Sequence, residues 1–253
     1  MQNVTFSALS DFYATGTGQR CMSLLHRQVR VFWPDLTAGQ KVLGVGYASP
    51  CLRAWPGLQM NPVSVVLPHY DGVKRGGAGL RDSMVHTLVG EAGVLPFQSE
   101  SFDRVVLMHA FQTQRQAVRL LREAAQVLRD DGRMILIFPA ALTGRSRLKH
   151  TPFARELAFS SYTIKRLLDL ACLKAERQEK MFFLPLTWEC KNAHINFVSD
   201  IAGKMFVPGL GSLCVIEVVK NINASLTLPL PVWQRRWRRY ISHRPAFLRS
   251  FIR

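Results

Sequence analysis

The stretch Val42-Leu43-Gly44-Val45-Gly46-Tyr47-Ala48-Ser49-Pro50 is an apolar run that breaks into small residues. An uncharged run followed by glycine, alanine, serine and proline is what a buried strand needs when it must turn sharply into a helix. In this reading Ser49 caps that helix and Pro50 takes its first position, where a missing N–H costs nothing. Such a turn lets backbone approach a ligand closely, and the free N–H groups at the helix start suit a carboxylate or phosphate. A tight turn with no ligand is the plainer reading of the same residues.

Outward from this turn the pattern repeats. Apolar runs at Lys41 to Gly46, Val63 to Leu67, Val85 to Val89, Arg104 to His109 and Met134 to Phe138 are separated by helix-length or loop segments. That alternation predicts an α/β fold, a mostly parallel sheet covered on both faces. The clearest helix runs from Thr113 to Arg129. Thr113 and Gln116 form a capping box, Ala117, Leu121, Ala124 and Leu128 make one buried stripe, and Asp130-Asp131-Gly132 turns the chain into the next strand. Further elements are a helix from Gly18 to Trp33 stopped by Pro34, a helix from Ser161 to Ala171, a strand in Glu176 to Leu184, a helix in Trp188 to Lys204 and a strand in Leu213 to Lys220.

The 253 residues are 48% apolar, enough for one sizeable core, and carry 33 basic against 17 acidic residues, a net charge of +16. Residues 229 to 253 hold seven arginines and no acid, so nearly half the excess lies in the tail. Trp233, Trp237, Tyr240 and Ile241 fall on one helical face there, with Arg235, Arg238 and Arg239 mostly elsewhere. Three occupants stay open for that stripe: the protein's own body, an anionic membrane surface, or a nucleic acid. Cys21, Cys51, Cys172, Cys190 and Cys214 form no CxxC pair, so no metal site and no disulfide framework is expected. The start Met1-Gln2-Asn3-Val4 has no basic leader, and the longest apolar run, Met134 to Leu142, is far short of the about 20 residues a spanning helix needs. The expected location is the cytoplasm, with contact at the inner face of the membrane as the furthest excursion.

Leu95-Pro96-Phe97, then Ser101-Phe102-Asp103-Arg104-Val105, then Glu123 to Leu128 followed by Asp131-Gly132-Arg133 resembles the class I S-adenosylmethionine-dependent methyltransferases of type 11, the group similar to ubiquinone/menaquinone-biosynthesis methyltransferases. Phe12-Tyr13-Ala14, Trp33-Pro34-Asp35-Leu36, Gly46-Tyr47-Ala48 and Thr151-Pro152-Phe153 look like a poorly characterised bacterial branch of it with a degenerate glycine motif. The resemblance implies a Rossmann-like seven-stranded sheet in the order 3-2-1-4-5-7-6. It also implies an N-terminal helical extension over residues 1–36, a methyltransferase-like domain over 37–222 and a basic amphipathic tail over 223–253.

By the same resemblance the cofactor is S-adenosylmethionine, leaving as S-adenosylhomocysteine, and the acceptor is a small molecule. Gly44, Gly46, Tyr47 and Ala48 would form the glycine loop, Leu67 and Pro68 the ribose position, and Glu91 and Ala92 the adenine position, with Met108 and His109 beside the reactive methyl. His109 is the candidate catalytic base, because histidine titrates near neutrality; a strand-end histidine bonded to backbone is the plainer reading. Gly44 stands where the family has an acid, Pro50 replaces the third glycine, and Leu67-Pro68-His69-Tyr70 lacks the acid that grips the ribose. Each missing charged hydrogen bond weakens binding by about 1.5–3 kcal/mol. A cofactor-free binding or scaffold protein therefore competes with the enzyme reading, whereas the missing third glycine and ribose acid disfavour a dinucleotide oxidoreductase. No Asn-Pro-Pro-aromatic tetrapeptide is present, which favours a small acceptor over a nucleic-acid base. Arg145, Arg147, Lys149, His150 and Arg155 decorate the loop around Thr151-Pro152-Phe153, where they would attract an anionic acceptor or simply face solvent.

Overall fold

The computed structural model describes residues 6–34, 36, 39–55, 63–66, 86–89, 94–149, 151–185 and 193–221. Seven strands form one sheet in the order β3-β2-β1-β4-β5-β7-β6: β1 Val42–Gly46, β2 Val63–Val66, β3 His86–Val89, β4 Phe102–Met108, β5 Leu128–Pro139, β6 Leu173–Met181 and β7 Leu213–Lys220. Strands β1 to β5 pair in parallel, and β7 runs antiparallel between β5 and β6. The order reverses between β1 and β4, the place where open α/β sheets bind ligands.

The inner stretches of the central strands, Val42–Val45, Val105–Met108 and Met134–Phe138, carry no charge because both sheet faces are covered. On β5, Met134, Leu136 and Phe138 enter one core, while Ile135 and Ile137 enter the core on the opposite face. The first core takes Ala117, Leu120, Leu121, Ala124 and Val127 of α4 (Gln114–Val127) together with Ile164, Leu167 and Leu168 of α6 (Ser161–Leu170). The second takes Cys21, Met22, Leu25, Val29 and Phe32 of α2 (Gly16–Phe32), a spacing that keeps one helical stripe inward. Each such leucine or phenylalanine contributes about 1.5–3 kcal/mol by leaving water.

Thr113 caps α4 as the sequence predicts, its Oγ1 accepting from the Gln116 N–H at 3.3 Å. The reciprocal half of the box differs: the Thr113 hydroxyl donates to Gln116 Oε1 at 3.1 Å. Asp130-Asp131-Gly132 is not a turn after the helix. Helix α4 ends at Val127 and β5 begins at once, with its ladder advancing from Leu128 to Arg133 while β4 advances only from Phe102 to Arg104. The three residues lie in that irregularity, where extra strand residues are looped out of register.

The turn after β1 also departs from expectation. Helix α3 is one turn, Ser49–Leu52, with Ala48 in the cap position and no side-chain cap bond, so Ser49 is not the cap. One turn has neither the aligned dipoles nor the row of N–H groups of a true anion site. Gly44 faces this turn: a Cβ there would lie 2.9 Å from Ala48 Cβ and from Leu52 Cδ1, which makes it a packing position between β1 and α3. The remaining described helices are α5 (Gly144–Arg147), α7 (Ala193–Phe206) and α1 (Phe6–Ala14), which local periodicity does not reveal, with 3-10 turns at Pro152–Arg155 and Pro208–Leu210. No helix among the described residues is long and apolar enough to cross a membrane. The basic tail from 229 onward lies outside the described residues.

Gly46 has φ +85°, and a Cβ on it would run into the Met108 carbonyl. Gly46→Ala is therefore expected to destabilise the fold by at least about 2 kcal/mol, from left-handed strain plus a backbone collision, read as a lowered urea midpoint. An unchanged midpoint would show that the β1 turn is looser than described.

Candidate active site

The ends of β1 and β4 meet at the reversal of strand order. The Tyr47 N–H donates to the Met108 carbonyl at 2.9 Å, so the two chains part immediately beyond their last ladder pair, Gly46 with Met108. His109 follows with φ +54°, a left-handed residue that swings its ring away from the strand direction. The side chain of Met108 is buried in the core against α2, so only its carbonyl belongs to the site. Ala48 is fully buried in the same core.

His109 is 1% exposed and both of its ring nitrogens have partners. Nδ1 bonds Glu156 Oε1, and Nε2 bonds the Tyr13 hydroxyl at 2.6 Å. The Phe153 ring stacks on the imidazole at 4.3 Å between centroids. Tyr13 in turn lies parallel to Tyr47, 11° apart at 5.7 Å. The site thus joins α1, the β1 turn, the β4 end and the segment after α5.

Local structure aims each of these groups. Thr15 caps α2, accepting from the Gly18 N–H at 3.1 Å, and its own N–H donates to the Phe12 carbonyl at 3.0 Å. Gly18 permits this corner, since a Cβ there would run into Phe12 backbone. Tyr13 is thereby held at a rigid bend. On the other side the Thr151 hydroxyl donates to the Leu148 carbonyl at 2.7 Å, and Pro152 opens a short 3-10 turn that presents Phe153 and Glu156 on one side.

Burial removes the water that would solvate an imidazolium, and lowers the His109 pKa from 6.5 to about 3. The ring is neutral at physiological pH. A neutral ring has a single N–H and so donates at one nitrogen and accepts at the other; with Glu156 as a carboxylate, Nδ1 donates to it and Nε2 accepts from the Tyr13 O–H. Burial raises the Tyr47 hydroxyl pKa, opposed by a hydrogen bond from Ser10. His109 is therefore bonded to side chains and not to backbone. Sequence reading missed Tyr13 and Glu156 as its partners; the signals available were the Phe12-Tyr13-Ala14 and Thr151-Pro152-Phe153 segments already singled out.

Leu67, Pro68, Glu91 and Ala92 lie outside the described residues, so the nucleoside side of the expected site does too. Of the basic loop, Arg147 donates to the Leu210 carbonyl at 2.6 Å, and Lys149 and Arg155 are exposed. No group of three His, Cys, Asp or Glu side chains able to hold a metal is present among the described residues.

The fold and this strand-end site define a Rossmann-like α/β protein of the class I methyltransferase architecture. A family model described as a methyltransferase domain matches residues 67–136. The match spans 70 of the 253 residues, and the strand order of the sheet agrees with the class I methyltransferase architecture. Among solved structures it is similar to a geranyl diphosphate C-methyltransferase from Streptomyces coelicolor, at 14% identity over 80% of each chain with a TM-score of 0.54. It is also similar to a possible histamine N-methyltransferase from Thermotoga maritima, at 17% identity over 85% of this chain and all of that one, TM-score 0.54. A third, the [4+2]-cyclase SpnF, matches at 16% identity over 80% of each chain with a TM-score of 0.50. No curated protein matches.

Two outcomes follow from the buried imidazole. Between pH 6.5 and about 3 the unfolded chain holds a proton on residue 109 that the folded chain refuses, so acid destabilises the native state across that window. This group contributes up to about 1.4 kcal/mol per pH unit there. His109→Asn, which tolerates the left-handed backbone, should flatten that part of the stability–pH curve in urea titrations; a curve parallel to the parent's contradicts a neutral buried His109. Tyr13→Phe leaves Nε2 buried without its donor and should cost about 1–3 kcal/mol, whereas equal stability would mean that water replaces the hydroxyl without loss.

Proposed function

We propose that this chain is an S-adenosylmethionine-dependent methyltransferase acting on a small acceptor. The observation that carries the reading is the parting of β1 and β4 at Gly46 and His109, where the strand order turns from β3-β2-β1 to β4-β5. The chemistry of the groups gathered there fits a cationic cofactor. Tyr13 and Tyr47 offer aromatic faces, and Glu156 supplies a carboxylate whose side chain is 7% exposed. Aromatic faces and a shielded negative charge suit a sulfonium and an α-ammonium, worth about 0.5–2 kcal/mol per aromatic contact. Gly46, Tyr47, Tyr13 and Glu156 would hold the methionyl end, with Leu67, Pro68, Glu91 and Ala92 assigned to ribose and adenine.

When bound, that cofactor supplies an already activated methyl group, so the chain's task is alignment and exclusion of water. Tyr13 and Phe153 close over His109 and keep water from the strand ends. A histidine held at about 3 is a poor proton acceptor near neutrality. The role that suits His109 is therefore to orient the Tyr13 hydroxyl, with Glu156 fixing the tautomer. An acceptor that is nucleophilic without losing a proton fits this arrangement best.

A second reading, a methyltransferase-like binding protein without catalysis, is favoured by one observation: the stacked Tyr13 and Tyr47 rings already cover the turn. Calorimetric titration with S-adenosylhomocysteine separates the two. The enzyme reading expects saturable binding that weakens in Glu156→Gln; no heat and no thermal shift at millimolar ligand would reject it in favour of the binding protein.

A further inference from the structure

A cavity of about 540 Å³ lies on the far side of β5 from His109, between β5, β7, β6 and the start of α6. It is of the size that encloses a small organic ligand. Its floor is apolar, built from Phe138, Ala140, Phe159, Ile164 and the Cys214 side chain. Phe138 and Phe159 pack edge to face at 5.2 Å, and each meets Phe111. None of Tyr13, His109 and Glu156 lines the cavity, so its chemistry does not draw on the cofactor reading.

One end of the cavity is polar and positively charged. Lys180 lines it and donates one of its three N–H bonds to the Gly209 carbonyl at 2.6 Å. Among the described residues its ammonium has no carboxylate partner, and no Asp or Glu lines the cavity. Its neighbour Glu179 is already engaged, 3.7 Å from Lys204. Gln178 donates to Cys214 Sγ at 3.3 Å, and the Ser160 hydroxyl caps α6, so both are satisfied within the wall. Burial pushes the Cys214 thiol up to about 12, which keeps it a neutral, apolar wall atom. Leu142, which also lines the cavity, stands 79% exposed as an apolar lip.

An apolar floor, one unneutralised cation at the rim and an exposed apolar lip match a single chemistry. We infer that this cavity binds a small anionic amphiphile, its hydrocarbon or aryl body on the Phe138–Phe159–Ile164 floor and its carboxylate or phosphate on Lys180. A cationic amphiphile of the same length meets the same floor but a like charge at the rim.

The test uses the full chain with 8-anilinonaphthalene-1-sulfonate as fluorescent probe, displaced by decanoate, decyl phosphate, decanol or decylamine below their micelle concentrations. Decanoate and decyl phosphate should displace the probe, the stronger of the two identifying the headgroup, while decylamine fails at equal concentration. Lys180→Met should weaken the anion by roughly 10-fold or more, the loss of one charged hydrogen bond, and Lys180→Arg should restore it. Cys214→Phe, which fills the floor, should remove displaceable probe binding altogether. Equal displacement by decylamine, or an unchanged anion affinity in Lys180→Met, would overturn the inference. Binding of S-adenosylhomocysteine to Lys180→Met, measured in parallel, should equal the parent's, which keeps failure here distinct from failure of the methyltransferase reading.

Discussion

The close approach of the β1 turn to the end of β4 governs the rest of the site. The Met108 carbonyl takes the Tyr47 N–H and occupies the space that a side chain on residue 46 would need. Only glycine combines that absence of Cβ with a φ of +85° at no strain. Because the strands are locked together up to that pair and diverge after it, the next residues on each chain open a crevice at a fixed place. His109, also left-handed, is the first residue on the β4 side of it.

What closes over that crevice comes from far away in the sequence. Tyr13 is 96 residues before His109, and Glu156 is 47 residues after it. Neutral imidazole is the only form that lets one buried ring donate to a carboxylate and accept from a phenol at once, so the low proton affinity of His109 and the docking of α1 are two consequences of one burial. In the proposed function the same cluster would supply an electron-rich lining for a cationic guest. This links packing to function: residues that hold the N-terminal helix on the sheet are also those that would meet a bound sulfonium.

The sheet was legible because its information is local. The apolar inner stretches of the strands, the Thr113 cap and the stripe of α4 are each encoded within a short segment, and β7 falls at Leu213–Lys220 as its composition predicts. Boundaries drifted where local and tertiary preferences compete, as at Asp130-Asp131-Gly132, whose turn chemistry is absorbed as an irregularity within β5. Gly44 carries a second constraint that the motif alone does not show, since α3 packs on β1 where its side chain would be. Of the site, His109 and Gly46 could be found from their positions at strand ends, whereas the partnership of Tyr13 and Glu156 with His109 could not, since no periodicity encodes a contact between distant segments.

Hydrogen exchange with and without S-adenosylhomocysteine tests this account most directly, because it locates the response along the chain. Protection is expected to change together in α1, in the turn from Gly46 to Leu52 and in residues 151 to 156, with the β5–β7 ladder unaffected. Exchange that leaves these three segments unaltered, or that alters only other parts of the chain, would contradict a site built where β1 and β4 part.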